Sequence, residues 1–416
     1  MKKILRSRFW LVFGAILAVS AQCVVTADTK PIRRANSLPG TTPWDLEELS
    51  KPPEFEWAEG KEVRSLYYKS EPYKGITTRV FSYYATPGTV SGDPTRDKQL
   101  PAVVLVHGGG GTAFPNWVRL WAKRGYAAIA MDLAGCGPKK DVRLPDGGPG
   151  QGHDMKFETI DQSPTEQWTY HAVANVMRAH SLILSFPEVD DERTAITGIS
   201  WGGYLTCIVA GLDSRFKAAV PVYGCGFLHE NSTWLNEFEK MSAESRAKWI
   251  QLWDPSQYVG SATMPILFAN GGKDFAYPPD SYARTYDLVR SEKNIRFVPD
   301  MPHGHIFDRP KAVEVFIRHH LEDGIPLARI SSPEITETLV SAKVDTKTKL
   351  VAAELHYTLD ALPGNPRTRK WLKQPATIEQ DVITSKRPPE NAQIWFLTVM
   401  DERKTVVSSK LMFPVD

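Results

Sequence analysis

Ser200 stands between two glycines in the run Thr197-Gly198-Ile199-Ser200-Trp201-Gly202-Gly203. A serine so placed is suited to attack a carbonyl, provided that a base takes its proton and a third group orients the base. Small flanking residues let the chain turn sharply. Such a turn lifts Oγ away from a sheet and sets it beside the first amides of a helix, where developing negative charge is favoured. Candidates for the other parts follow in chain order. Asp274 closes Gly271-Gly272-Lys273-Asp274, and two histidines lie in Pro299-Asp300-Met301-Pro302-His303-Gly304-His305. Upstream, the glycines of His107-Gly108-Gly109-Gly110-Gly111-Thr112 can bring backbone N–H groups close to an alkoxide.

Each candidate needs an element to hold it. Arg193 to Thr197 reads as a short buried strand and Gly203 to Ala210 as a helix, so Ser200 falls on the turn between them. Pro101 to Val106 reads as a buried parallel strand that ends at His107. Met264 to Asn270 is another strand, and Asp274 follows its carboxyl end, where an orienting acid belongs. Asn294 to Val298 leads into the histidines. His303 is assigned as the base because it follows its strand by a short loop and precedes a glycine; His305 stands as the alternative. The expected oxyanion donors are the backbone N–H of Trp201 and one from Gly109 or Gly110. A phosphate-binding role for these glycines is disfavoured, because no Gly-Lys-Ser/Thr follows them.

The order Ser200, Asp274, His303 resembles that of the α/β-hydrolase superfamily over about residues 65–325. Four stretches narrow the resemblance: Gln167-Trp-Thr-Tyr-His-Ala172, Gly198-Ile-Ser-Trp-Gly-Gly-Tyr204, Pro221-Val-Tyr-Gly-Cys-Gly226 and Met301-Pro-His-Gly-His305. Together they resemble secreted bacterial proteins of the acetyl xylan esterase and dienelactone hydrolase-like branch. The resemblance implies an α/β fold with a central, mostly parallel sheet, and a serine esterase acting on acylated carbohydrate without a cofactor. No metal is expected, since neither His-Glu-x-x-His nor Cys-x-x-Cys spacing occurs. Two other readings share the serine. A prolyl oligopeptidase-type peptidase needs a bladed propeller for which the chain has no room. An inactive hydrolase fold used as a binding module would keep its function when Ser200 is changed.

Around this core the chain divides into further segments. Lys2, Lys3, Arg6 and Arg8 precede an apolar run from Phe9 to Val19, which reads as a secretory signal over 1–27 and implies a secreted or periplasmic protein. Whole, the chain has 50 Lys+Arg against 48 Asp+Glu; without the four basic residues of the signal the balance is 46 to 48. That near-neutral balance gives no reason to expect nucleic acid or an anionic membrane as partner. Cleavage after Ala27 would leave Cys136, Cys207 and Cys225, too few for a disulfide scaffold. Residues 28–62, rich in Pro and charge, read as a loosely ordered extension, and 63–326 as the catalytic domain, opened by a hairpin. Beyond 327 helical periodicity stops, and 327–416 reads as a small all-β, sandwich-like domain in which Trp371 or Trp395 could meet carbohydrate. Two insertions should shape substrate choice: 136–162, and 226–262 with Trp234, Trp249 and Trp253. With Trp201 these could stack on sugar rings or line an acyl pocket.

Overall fold

The computed structural model describes residues 37–414, so the signal segment lies outside the described residues. Its strands are β1 (Phe55–Trp57), β2 (Arg64–Tyr73), β3 (Ile76–Ala85), β4 (Leu100–Val106), β5 (Ala127–Met131), β6 (Val189–Ile199), β7 (Ala218–Val222), β8 (Ile266–Lys273) and β9 (Lys293–Pro302). In space they run β1-β2-β3-β5-β4-β6-β7-β8-β9, antiparallel as far as β5 and parallel from there on. All residues of β4 and β5 are buried, as a parallel strand covered on both faces requires. The strand order reverses about β4, whose neighbours are β5 and β6. The crevice beyond the carboxyl ends of strands at such a reversal is where open α/β sheets bind ligands.

The helices are α1 (Leu46–Leu49), α2 (Pro87–Ser91), α3 (Pro115–Lys123), α4 (Trp168–Leu184), α5 (Trp201–Leu212), α6 (Leu235–Glu239), α7 (Ala243–Trp253), α8 (Pro279–Leu288) and α9 (Ala312–Glu322). α5 is buried along its whole length, so the turn before it is held from below by the core. None of the described helices is long and apolar enough to cross a membrane.

Composition suggests a loosely ordered stretch before the core, yet residues 37–62 are docked. Trp44 is buried and its Nε1 donates to the Tyr170 carbonyl at 2.9 Å. Arg178 donates to the Glu48 carbonyl at 2.9 Å and Arg215 to the Ser50 carbonyl at 3.0 Å. The order comes from these distant partners, which local composition does not reveal.

The C-terminal region is strand-rich: β10 (Arg329–Ile330), β11 (Glu334–Ile335), β12 (Leu339–Asp345), β13 (Leu350–Thr358), β14 (Leu372–Glu379), β15 (Val382–Lys386), β16 (Ile394–Asp401) and β17 (Val406–Ser408). Along β12, Val340, Ala342 and Val344 are buried while their neighbours are not, the alternation of a half-covered strand. β17 pairs with β9 through Ser408 and Ile295, so this region continues the central sheet at its β9 edge. The two tryptophans considered for carbohydrate turn inward. Trp395 is buried and bridges to Met412; Trp371 packs on Phe297 and Phe396. The Trp371 indole, against Phe297 of β9, lies at the junction with the central sheet.

Candidate active site

Ser200 occupies the turn between β6 and α5 with φ 61° and ψ −122°. A non-glycine residue in so sparsely populated a region costs about 1–3 kcal/mol and persists only where its surroundings dictate it. They do so here. The Ser200 N–H donates to the Val222 carbonyl, and the Ser200 carbonyl accepts from the Tyr204 N–H, both at 2.9 Å. The flanking glycines have a steric reason: a β-carbon at Gly198 would meet the Gly202 carbonyl, and one at Gly202 the Val106 carbonyl at the end of β4.

β8 and β9 deliver the other two groups. Asp274 directly follows β8, and His303 directly follows β9. The His303 Nδ1–H donates to Asp274 Oδ2 at 3.0 Å, and the opposite nitrogen, Nε2, lies 2.8 Å from Ser200 Oγ. A ring whose Nδ1 faces a carboxylate carries its proton there, which leaves Nε2 to accept from the serine hydroxyl. Asp274 is buried, and its other oxygen accepts from the Ala276 and Tyr277 N–H groups at 2.6 and 3.1 Å. Those bonds fix the carboxylate's direction.

His305 has a different position. Its Nε2 accepts from the Gly108 N–H at 3.1 Å, and burial holds its imidazole down at about 4. It therefore anchors the glycine loop in the neutral form. His107 anchors the loop's other side: Nε2 accepts from the Leu133 N–H at 3.0 Å, so Nδ1 carries the proton and donates to the Gly108 carbonyl at 2.8 Å. The Gly111 N–H is also engaged, on the Gly108 carbonyl at 3.1 Å. Among the described residues the Gly109 and Gly110 amides, both exposed, make no protein hydrogen bond. Trp201, as the first residue of α5, has no carbonyl one turn earlier to receive its N–H.

Several neighbours carry no sequence signal of their own. The Tyr223 ring lies 4.6 Å from that of His303, and its hydroxyl donates to the Pro302 carbonyl at 2.8 Å, bracing the loop that carries the imidazole. Tyr277 is fully buried, and among the described residues its hydroxyl has no hydrogen-bond partner; burial pushes it well above its ordinary value. Phe275, partly exposed, packs edge-on to His303 at 5.1 Å. Of the four tryptophans considered for sugar stacking, Trp249 and Trp253 are sealed in the cap, where they donate to the Lys156 carbonyl and Gln167 Oε1, each at 2.8 Å. Trp201 and Trp234 are buried too, 4.6 Å apart, with Trp234 5.1 Å from Tyr277. Cap packing takes the first two out of reach of a ligand. No cluster of three or more His, Cys, Asp or Glu side chains among the described residues could hold a metal ion.

The sequence profile of the acetyl xylan esterase (AXE1) family matches residues 58–319 of the 416. The chain belongs to the acetyl xylan esterase family. The match takes in every element that carries Ser200, Asp274 and His303, and stops before the C-terminal strands. Among solved structures, an acetyl xylan esterase from Paenibacillus sp. R4 is 25% identical with a TM-score of 0.53, over 67% of this chain and 92% of that one. This acetyl xylan esterase family member is also similar to the acetyl esterase Axe7A of Xylanibacter ruminicola, 21% identical over 222 residues, which are 50% of this chain and 51% of that protein. An uncharacterized peptidase of Bacillus subtilis, YuxL, is 24% identical over 240 residues, 52% of this chain and 32% of its own length. The chain thus spans about half, or less, of the curated relatives it matches.

Proposed function

We propose that this chain is an exported serine esterase that removes acetyl groups from acetylated carbohydrate, acetylated xylan first, through an acyl-enzyme on Ser200. The observation that carries the reading is the chain of contacts from Asp274 Oδ2 through His303 to Ser200 Oγ, at 3.0 and 2.8 Å, on a strained turn. Membership of an acetyl xylan esterase family supports the substrate class. His303 Nε2 takes the hydroxyl proton as Oγ attacks the acetyl carbonyl, and Asp274 stabilises the imidazolium that forms. The oxyanion is met by the Trp201 N–H and by that of Gly109 or Gly110. Collapse expels the sugar oxygen, which takes the proton from His303. Water then attacks the acetyl-serine with His303 again as base, releasing acetate.

The test is acetate release from acetylated xylo-oligosaccharides by the mature protein and by Ser200→Ala. Release that falls by about three orders of magnitude or more in the variant supports both the nucleophile and the substrate class. Cleavage of prolyl peptide substrates with no acetate release would instead favour the peptidase reading.

A further inference from the structure

Lys156 is a buried titratable group that the reaction above does not use. It lies on a short helical turn, Asp154–Glu158, inside the long insertion that follows β5. Its Nζ donates to the Gln151 carbonyl at 2.5 Å and sits over the indole rings of Trp168 and Trp201, at 4.8 and 4.6 Å from their centroids. It also stands 3.8 Å from where a β-carbon on Gly109 would be. Among the described residues no carboxylate pairs with it.

An ammonium held away from water without a carboxylate is costly, and the faces of two indoles offset only part of that cost. The other tasks open to this side chain do not need a charge. A glutamine could donate to the Gln151 carbonyl, and a methionine could fill the space between the indoles. The feature that neither reproduces is positive charge, and the place where it sits is against the glycine loop, beside Gly109, one of the two residues proposed above to supply an oxyanion donor. Gln151 ties the two parts together, since its Nε2 donates to the Gly111 carbonyl at 3.2 Å.

We infer that Lys156 is a positioning residue that holds a positive charge behind Gly109 and Trp201, where it favours the negative charge developing on the acyl oxygen at Ser200. The effect is electrostatic and acts through the oxyanion loop. Because Lys156 is buried, its charge is screened less than it would be at the surface. Asp154 on the same turn and His107 at the end of β4 are the titratable groups whose fields reach it; Trp168 from α4 and Trp201 from α5 bring none. His107 is kept neutral by burial, which holds it down at about 3. Burial likewise draws Lys156 down to about 7, opposed by Asp154. The ammonium is therefore lost as pH rises through neutrality, and the reaction should weaken with it.

The inference rests on the esterase reading for its natural substrate, but its main test does not. K156Q keeps a donor for the Gln151 carbonyl and removes the charge; K156M removes both. The rate at which a fluorophosphonate labels Ser200 is measured across neutral pH for wild type and both variants, together with kcat and KM for 4-nitrophenyl acetate. The wild-type rate should decline as pH rises through about 7. Both variants should lack that decline and, below it, should lose about tenfold or more in labelling rate and kcat, with KM little changed. Labelling equal to wild type in K156Q, with only K156M impaired, would overturn the inference and leave the lysine as a mere anchor for Gln151. An alkaline decline that persists in K156Q would overturn it equally. Should K156M fail to fold, K156Q decides alone. Normal labelling with no ester turnover by wild type would defeat the esterase reading while leaving this test intact.

Discussion

At the scale of single residues, the account turns on which nitrogen of His303 carries the proton. Asp274 Oδ2 faces Nδ1 and Ser200 Oγ faces Nε2, so a neutral ring has one useful tautomer. An asparagine at 274 keeps the size of the side chain but can present its NH2 to Nδ1, which forces the proton onto Nε2 against the serine. Asp274→Asn should therefore lower kcat by about 10⁴-fold with little loss of thermal stability, read from steady-state kinetics beside a melting curve. A loss below about tenfold would mean that the ring is oriented by something else. The places of Ser200 on a strand-to-helix turn and of Asp274 at a strand end were legible, because turn chemistry and strand ends leave marks in the sequence. The choice between His303 and His305 was less so: the sequence read both as lying in one short loop after the strand, whereas β9 runs up to Pro302 and His303 follows it directly, and only tertiary structure sends one ring to Ser200 and the other to the Gly108 amide. The places of Tyr277 and Lys156 beside this site, and of the Tyr223 ring against His303, were not legible, since an isolated tyrosine or lysine carries no periodic signal.

At the scale of elements, the site is a product of how closely the ends of β4 and β6 approach the start of α5. Gly202 is the tightest point, its missing β-carbon being replaced by the Val106 carbonyl. Gly202→Ala should cost roughly 3 kcal/mol, the upper end for overpacking, because backbone rather than a flexible side chain must move. Chemical denaturation measures it, and a variant as stable as wild type would show the turn to be looser than described. The strands that build the site lie close to the apolar runs that marked them, with β6, β8 and β9 extending a few residues beyond. The segment from 37 to 62 was not readable in this way. Its order depends on Trp44, Arg178 and Arg215 meeting across more than a hundred positions of chain, which no local window contains.

At the scale of the whole molecule, the sheet runs from β1 through the parallel strands into the C-terminal region by way of β17. The strand-rich character of that region was plain from its loss of helical periodicity, whereas its attachment to β9 and the packing of Trp371 on Phe297 are tertiary facts. Burial also gives the molecule a pH dependence. His180, His305, His320 and His356 are each drawn by burial from 6.5 to about 4, and His107 to about 3. A histidine whose folded value lies below its unfolded one binds protons more readily in the unfolded chain, so acid favours unfolding. These groups leave stability unaffected above about pH 6.5 and erode it steadily between there and about pH 4. Unfolding midpoints in urea should fall over that interval; midpoints that hold constant or rise would mean that these rings are not buried neutral. The central claim, that Ser200 carries the acetyl group between sugar and water, is tested most directly by mass spectrometry of the protein quenched during turnover of an acetylated xylo-oligosaccharide. The account predicts a transient mass increase of one acetyl group, located on the peptide that contains Ser200 and absent from Ser200→Ala. Acetate release with no acetylated Ser200 at any quench time, or release undiminished in Ser200→Ala, would contradict it.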